Sequence, residues 1–96
     1  MYARIATFEG GDDARLQQLN EERMSDGTMN TPAGMNRVML LSDGSSKRLF
    51  LAFFDSRDDL EAAEERFESM GDEIPEDIRG RRTSVEVYEV LTDQSI

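Results

Sequence analysis

The sequence predicts an α+β domain: a four-stranded antiparallel sheet with two helices on one face, in the chain order βαββαβ. Three observations lead there. Leu49-Phe50-Leu51-Ala52-Phe53-Phe54 is apolar on both faces of a strand, since side chains alternate with a period of two. Two stretches, one before and one after it, carry apolar residues at helical spacing. Glycine- and aspartate-containing turn signals separate these runs.

Each element follows from its residues. Tyr2 to Phe8 reads as a strand broken by Gly10-Gly11. Asp12 or Asp13 can cap the helix that follows, because a carboxylate accepts the orphan N–H bonds of a first turn. Leu16, Leu19 and Met24 form its thin apolar stripe, and Asp26-Gly27 ends it. Thr28 to Gly34, with Pro32, is a loop, and Met35 to Ser42 is the second strand. Asp43-Gly44-Ser45-Ser46 is a hairpin turn into the third strand, Lys47 to Asp55. Ser56-Arg57-Asp58-Asp59 opens the second helix as a capping box with Asp in place of Glu. Leu60, Ala63, Phe67 and Met70 share one face of it, and Gly71 ends it. Ile74 to Ile78 suits a further helical turn around Pro75, Thr83 to Leu91 is the fourth strand, and residues 92–96 are a polar tail.

Two right-handed crossovers interleave these elements into a single ferredoxin-like domain over residues 1–96. Ala3, Ile5 and Thr7, with Val85 and Val87, are assigned to the helix side. Tyr2, Arg4, Ala6 and Phe8, with Glu86, Tyr88 and Val90, are assigned to the other side. A one-residue slip inverts such an assignment. The third strand needs cover on both faces, and in a chain of 96 residues a second copy is the expected source.

Composition narrows the function. The net charge is -10, from 21 acidic and 11 basic residues, which disfavours nucleic acid and anionic membrane surfaces as partners. Lys47 is the single lysine; scarce lysine with abundant acid fits a salt-adapted host and equally a genome rich in arginine codons. No apolar run approaches the ~20 residues of a membrane span. The first residues lack a signal-peptide layout, so a cytoplasmic location is expected. Without cysteine or histidine there is no thiolate chemistry, no Ser-His-Asp triad and none of the usual zinc sites.

Met1-Tyr2-Ala3-Arg4-Ile5, Pro32-Ala33-Gly34-Met35, Phe54-Asp55-Ser56 and Val85-Glu86-Val87-Tyr88-Glu89-Val90 together resemble the dimeric α+β barrel superfamily. That group includes antibiotic-biosynthesis monooxygenases and heme-degrading monooxygenases. The resemblance implies a homodimer in which two sheets face each other and enclose a barrel. Heme-degrading members use an Asn, a Trp and a His. Here the first strand has no Asn, the Trp position reads Ala63, and the chain contains no Trp or His. Heme-degrading chemistry is therefore disfavoured, and no cofactor is expected.

Arg4, Arg37 and Tyr88 are the candidate ligand-binding residues, the polar groups expected on or near an otherwise apolar cavity between the sheets. Arginine can hold a carboxylate bidentately and tyrosine can donate a hydrogen bond; the alternative for Arg4 is a pair with Glu86 on the neighbouring strand. Met35 and Met39 could line the cavity, whereas Met24 and Met70 suit packing under helices. The ten carboxylates between Asp58 and Asp77 match no EF-hand spacing and read as a solvated face, which Arg79, Arg81 and Arg82 could partner. The functional expectation is a homodimer binding a small apolar or aromatic molecule between its sheets. The alternatives are a cofactor-independent monooxygenase of an activated aromatic substrate, a purely structural dimer with a filled barrel, and an amino-acid sensor of the ACT type.

Overall fold

The computed structural model describes residues 1–26 and 32–96, and their side chains apart from 24–26 and 70–73. The chain runs β1 (Tyr2–Glu9), α1 (Asp13–Asp26), β2 (Met35–Ser42), β3 (Lys47–Phe54), α2 (Arg57–Glu73), α3 (Glu76–Arg79) and β4 (Arg81–Glu89). The four strands form one antiparallel sheet in the order β2-β3-β1-β4, the ferredoxin-like α+β topology. Several element ends differ from expectation: β1 runs on to Glu9, β3 stops at Phe54, α2 continues past Gly71 to Glu73, and β4 begins at Arg81 and stops at Glu89.

The caps and the turn form as their residues dictate. Asp12 is the cap of α1, its Oδ1 accepting from the Arg15 N–H at 3.0 Å. That frees Asp13 for a different role. Ser56 Oγ accepts from the Asp59 N–H at 3.2 Å and starts α2. In the β2–β3 turn Asp43 Oδ1 accepts from the N–H groups of Ser45 and Lys47, at 2.8 and 3.2 Å.

The core lies between α2 and the two central strands. Ala52 and Phe54 of β3 and Leu60, Ala63 and Phe67 of α2 are its buried members, with Tyr2, Met35 and Phe50 packed against them. Phe67 meets Phe54 and Phe50 edge-on, with ring centroids 6.0 and 6.4 Å apart. From α1, Leu16 is buried and Leu19 half-buried. The expected packing of Met24 and Met70 lies outside the described side chains.

The register overturns the face assignment of β1. Tyr2, Arg4, Ala6 and Phe8 stand opposite Phe54, Ala52, Phe50 and Arg48 of β3, so they are on the helix side; Ala3, Ile5 and Thr7 are on the open side. The faces of β4 are as expected: Val85 and Val87 pair with Ala6 and Arg4 on the helix side. Both valines nevertheless remain exposed, because the buried core sits over β3 and β1 and not over this edge.

Candidate functional site

The helix-free face of the sheet reads as three rows across β2, β3, β1 and β4: Arg37–Phe53–Ala3–Tyr88, then Met39–Leu51–Ile5–Glu86, then Leu41–Leu49–Thr7–Ser84. Its centre is apolar. Ile5, Met39, Leu49, Leu51 and Phe53 are half-buried, and Leu41 is exposed. Polar groups stand at the edges, Arg37 on β2 and the Glu86–Tyr88 pair on β4. Contiguous apolar surfaces with polar rims are commonly interaction surfaces.

The structure separates the three candidate residues. Arg37 and Tyr88 share a row on the open face but occupy its opposite edges, about 14 Å apart as three interstrand spacings. Arg4 is on the other side of the sheet, so it does not join them. Its expected place on the cavity side and its alternative pairing with Glu86 are both corrected: Arg4 Nε donates to Glu64 Oε1 of α2 at 2.8 Å. The guanidinium also stacks 4.4 Å from the centroid of Phe67, and its side chain is only 3% exposed. Its Nη2 is buried without a hydrogen-bond acceptor.

Glu86 instead accepts a short hydrogen bond from the Tyr88 hydroxyl, two residues along the same face. That bond and the carboxylate's charge push the Tyr88 phenol above its ordinary range. Of the two methionines considered for a cavity, Met39 is on the open face and Met35 packs into the core.

A second buried arginine escapes the sequence reading. Arg48 points to the helix side from the end of β3, where its Nη1 donates to Asp13 Oδ1 at 2.6 Å and its Nη2 to the Arg79 carbonyl at 3.2 Å. The backbone closes around it: a Cβ on Gly80 would lie 2.7 Å from Nη2 and 2.6 Å from the Glu9 carbonyl. Gly11, at φ +82°, would bring a Cβ within 2.5 Å of the Ile78 carbonyl. Hydrogen bonds from Ser42 and Arg48 hold the Asp13 carboxyl below its usual range. Arg48 thus ties β3 to the starts of α1 and β4.

The acidic helix face is partly neutralised by arginines. Arg82 pairs with Glu68 at 2.7 Å and Arg57 with Glu61 at 3.1 Å. The Arg82 hydrogen bond keeps the Glu68 carboxyl below its ordinary range. Among the described residues no group of three or more His, Cys, Asp or Glu side chains is placed to hold a metal ion, and no helix is long and apolar enough to cross a membrane.

This sheet order and helix placement match a solved structure along the whole chain. A crystal structure of a point mutant of MhuD, with two manganese protoporphyrin IX bound per active site, superposes with a TM-score of 0.62 at 15% sequence identity. The match covers 99% of both chains. The likeness is one of fold: both chains have the four-stranded antiparallel sheet and helices of a ferredoxin-like α+β subunit. No family model and no curated protein matches it by sequence.

Proposed function

We propose that two copies of this chain stack their open sheet faces and bind a small apolar or aromatic molecule in the space between them. The observation that carries this reading is the unbroken apolar surface of Ile5, Met39, Leu41, Leu49, Leu51 and Phe53 on the face without helices. Burying such a surface gains roughly 25 cal/mol per Å², and a two-fold copy offers the complementary apolar area. The likeness to MhuD supports the same arrangement by analogy of fold. Stacking would also set Arg37 at one edge of the enclosed space and the Glu86–Tyr88 pair of the same copy at the other. There Arg37 would favour a ligand with an anionic group, and Tyr88 and Glu86 would supply hydrogen bonds.

The donor set does not fit an iron porphyrin held by imidazole, since the chain has no histidine, and no heme-dependent step belongs to this reading. The test is sedimentation of the wild-type protein at micromolar concentration beside Leu51→Asp. A dimer that becomes a monomer in the variant is the expected result; a wild-type protein that stays monomeric would overturn the stacking. Titration with 1-anilinonaphthalene-8-sulfonate then tests the cavity. Saturable fluorescence in the dimer, weakened by Arg37→Gln, is expected. An unresponsive dimer would mean a barrel filled by its own side chains.

A further inference from the structure

Arg37 is the one charged residue of β2, and among the described residues its side chain makes no hydrogen bond or ion pair. That is unexpected in a chain where 21 acidic residues outnumber 11 basic ones. Its neighbours along the row are apolar, Phe53 and then Ala3. A guanidinium at the rim of an apolar face, with no carboxylate of its own, is ready to take one from a ligand.

The opposite edge offers the reverse. A phenol has one proton to give and an ionised carboxylate has none. Tyr88 gives its proton to Glu86, and that bond, with the carboxylate's charge, keeps the phenol protonated above its ordinary range. The pair therefore turns only lone pairs outward, those left on the Tyr88 oxygen and on the Glu86 carboxylate. A ligand hydroxyl or amine can satisfy them. A ligand carbonyl, ether or carboxylate would set oxygen against oxygen, at a cost that grows as water is excluded.

The distance between the edges fixes a size. Arg37 and Tyr88 are about 14 Å apart as three interstrand spacings. A hydrogen bond of about 2.8 Å at each end leaves about 8 Å between the ligand's own polar groups. Two fused aromatic rings span that length. The floor beneath them is flat: Ala3, a single methyl between Phe53 and Tyr88, is only 6% exposed. We propose that the open face selects a flat, bipolar ligand, a fused-ring aryl carboxylate with a hydroxyl or amino donor at its far end. Arg37 holds its anion and the Glu86–Tyr88 pair holds its donor. This rests on the ligand-binding reading above and names the class of ligand.

The test follows the fluorescence of three naphthalenes titrated with the wild-type protein and its variants. The compound 6-hydroxy-2-naphthoate carries both ends, 6-methoxy-2-naphthoate replaces the donor by an acceptor, and 2-naphthol lacks the anion. Hydroxynaphthoate should bind about tenfold tighter than methoxynaphthoate. Tyr88→Phe and Glu86→Gln should each narrow that ratio to about threefold or less, the latter because its amide can donate to the methoxy oxygen. Arg37→Gln should weaken both naphthoates about tenfold, leave their ratio unchanged and leave 2-naphthol as in wild type. Equal or inverted binding of the two naphthoates overturns the proposal while the cavity stands, and so does a preference that survives both β4 substitutions. Failure of all three compounds where 1-anilinonaphthalene-8-sulfonate still binds has the same meaning. If that dye fails too, the cavity reading falls and takes this inference with it.

Discussion

On the helix side of the sheet two arginines, Arg4 and Arg48, are as thoroughly buried as Leu60, while on the other side Leu49, Leu51 and Phe53 keep part of their surface in water. The difference lies in what stands opposite each side. The helix side is closed by α2 and by the turns around α1 and α3, which supply Glu64, Asp13 and a backbone carbonyl to hold the guanidinium groups. The open side has an apolar centre with polar groups at its edges, and among the described residues no helix lies above it. Residue type alone misleads in both directions: a charge goes inside when a partner is built for it, and a leucine stays half outside where no helix packs on its side of the sheet.

The largest test of this contrast compares Phe54→Ala with Leu51→Ala, on opposite faces of one strand. Phe54 is fully buried, so its truncation should cost about 3–5 kcal/mol in denaturant unfolding. Leu51→Ala in dilute protein should cost about 1 kcal/mol, because much of its surface is open already. A cost for Leu51→Ala that grows with protein concentration would report a copy seated on that face.

The next test separates a buried charge from its partner. Glu64→Ala strands Arg4 beneath α2 and should destabilise by about 1–3 kcal/mol. Arg4→Met removes the charge and its unpaired Nη2 while keeping an apolar stem, and should stay within about 1.5 kcal/mol of wild type. Equal costs for the two substitutions would show that Arg4 is held by its contacts with Phe67 more than by Glu64.

Acid should act on the Arg48 tie. Asp13 has a folded-state pKa below its ordinary value of 3.8 because Ser42 and Arg48 donate to it. Its stabilisation is therefore complete above that value and is lost as pH falls through the lower, folded one. Urea unfolding between about pH 5 and pH 2 should show a smaller loss of stability for Asp13→Asn than for wild type. The smallest effect is spectroscopic. With Glu86→Gln the Tyr88 phenol should ionise at lower pH than in wild type, read by absorbance titration and assigned with Tyr88→Phe.

The order of elements was legible because their punctuation is local. Asp12, Ser56 and Asp43 each satisfy backbone groups two to four residues away, so sequence alone specifies them. The faces of β1 were not legible. Both sets, Tyr2-Arg4-Ala6-Phe8 and Ala3-Ile5-Thr7, mix apolar with polar residues, and Arg4 drew its set toward solvent. The decisive hint was present in α2: Glu64 falls within the helical stripe of Leu60, Ala63 and Phe67, and an inward-facing carboxylate needs an inward-facing cation. The same reasoning reaches Arg48, which shares its side of β3 with Phe50, Ala52 and Phe54. Tyr88 was found on the open face because β4 alternates plainly, Val85 and Val87 against Glu86 and Tyr88; β2 does not, and a register shift between Met35 and Arg37 puts those two on opposite sides. The separation of Arg37 from Tyr88 within a subunit depended on strand order, which no local pattern encodes.

The position of β1 between β3 and β4 has a consequence for how this chain is made. Its strand residues have no ladder partner until the ribosome has emitted β3, and their second partner belongs to the last sixth of the polypeptide. During that interval β3, the most apolar strand, already has both its neighbours, β2 and β1, while β1 has only one of its two. Folding of this domain in chain order therefore leaves the β4-facing edge of β1 open until the last strand arrives.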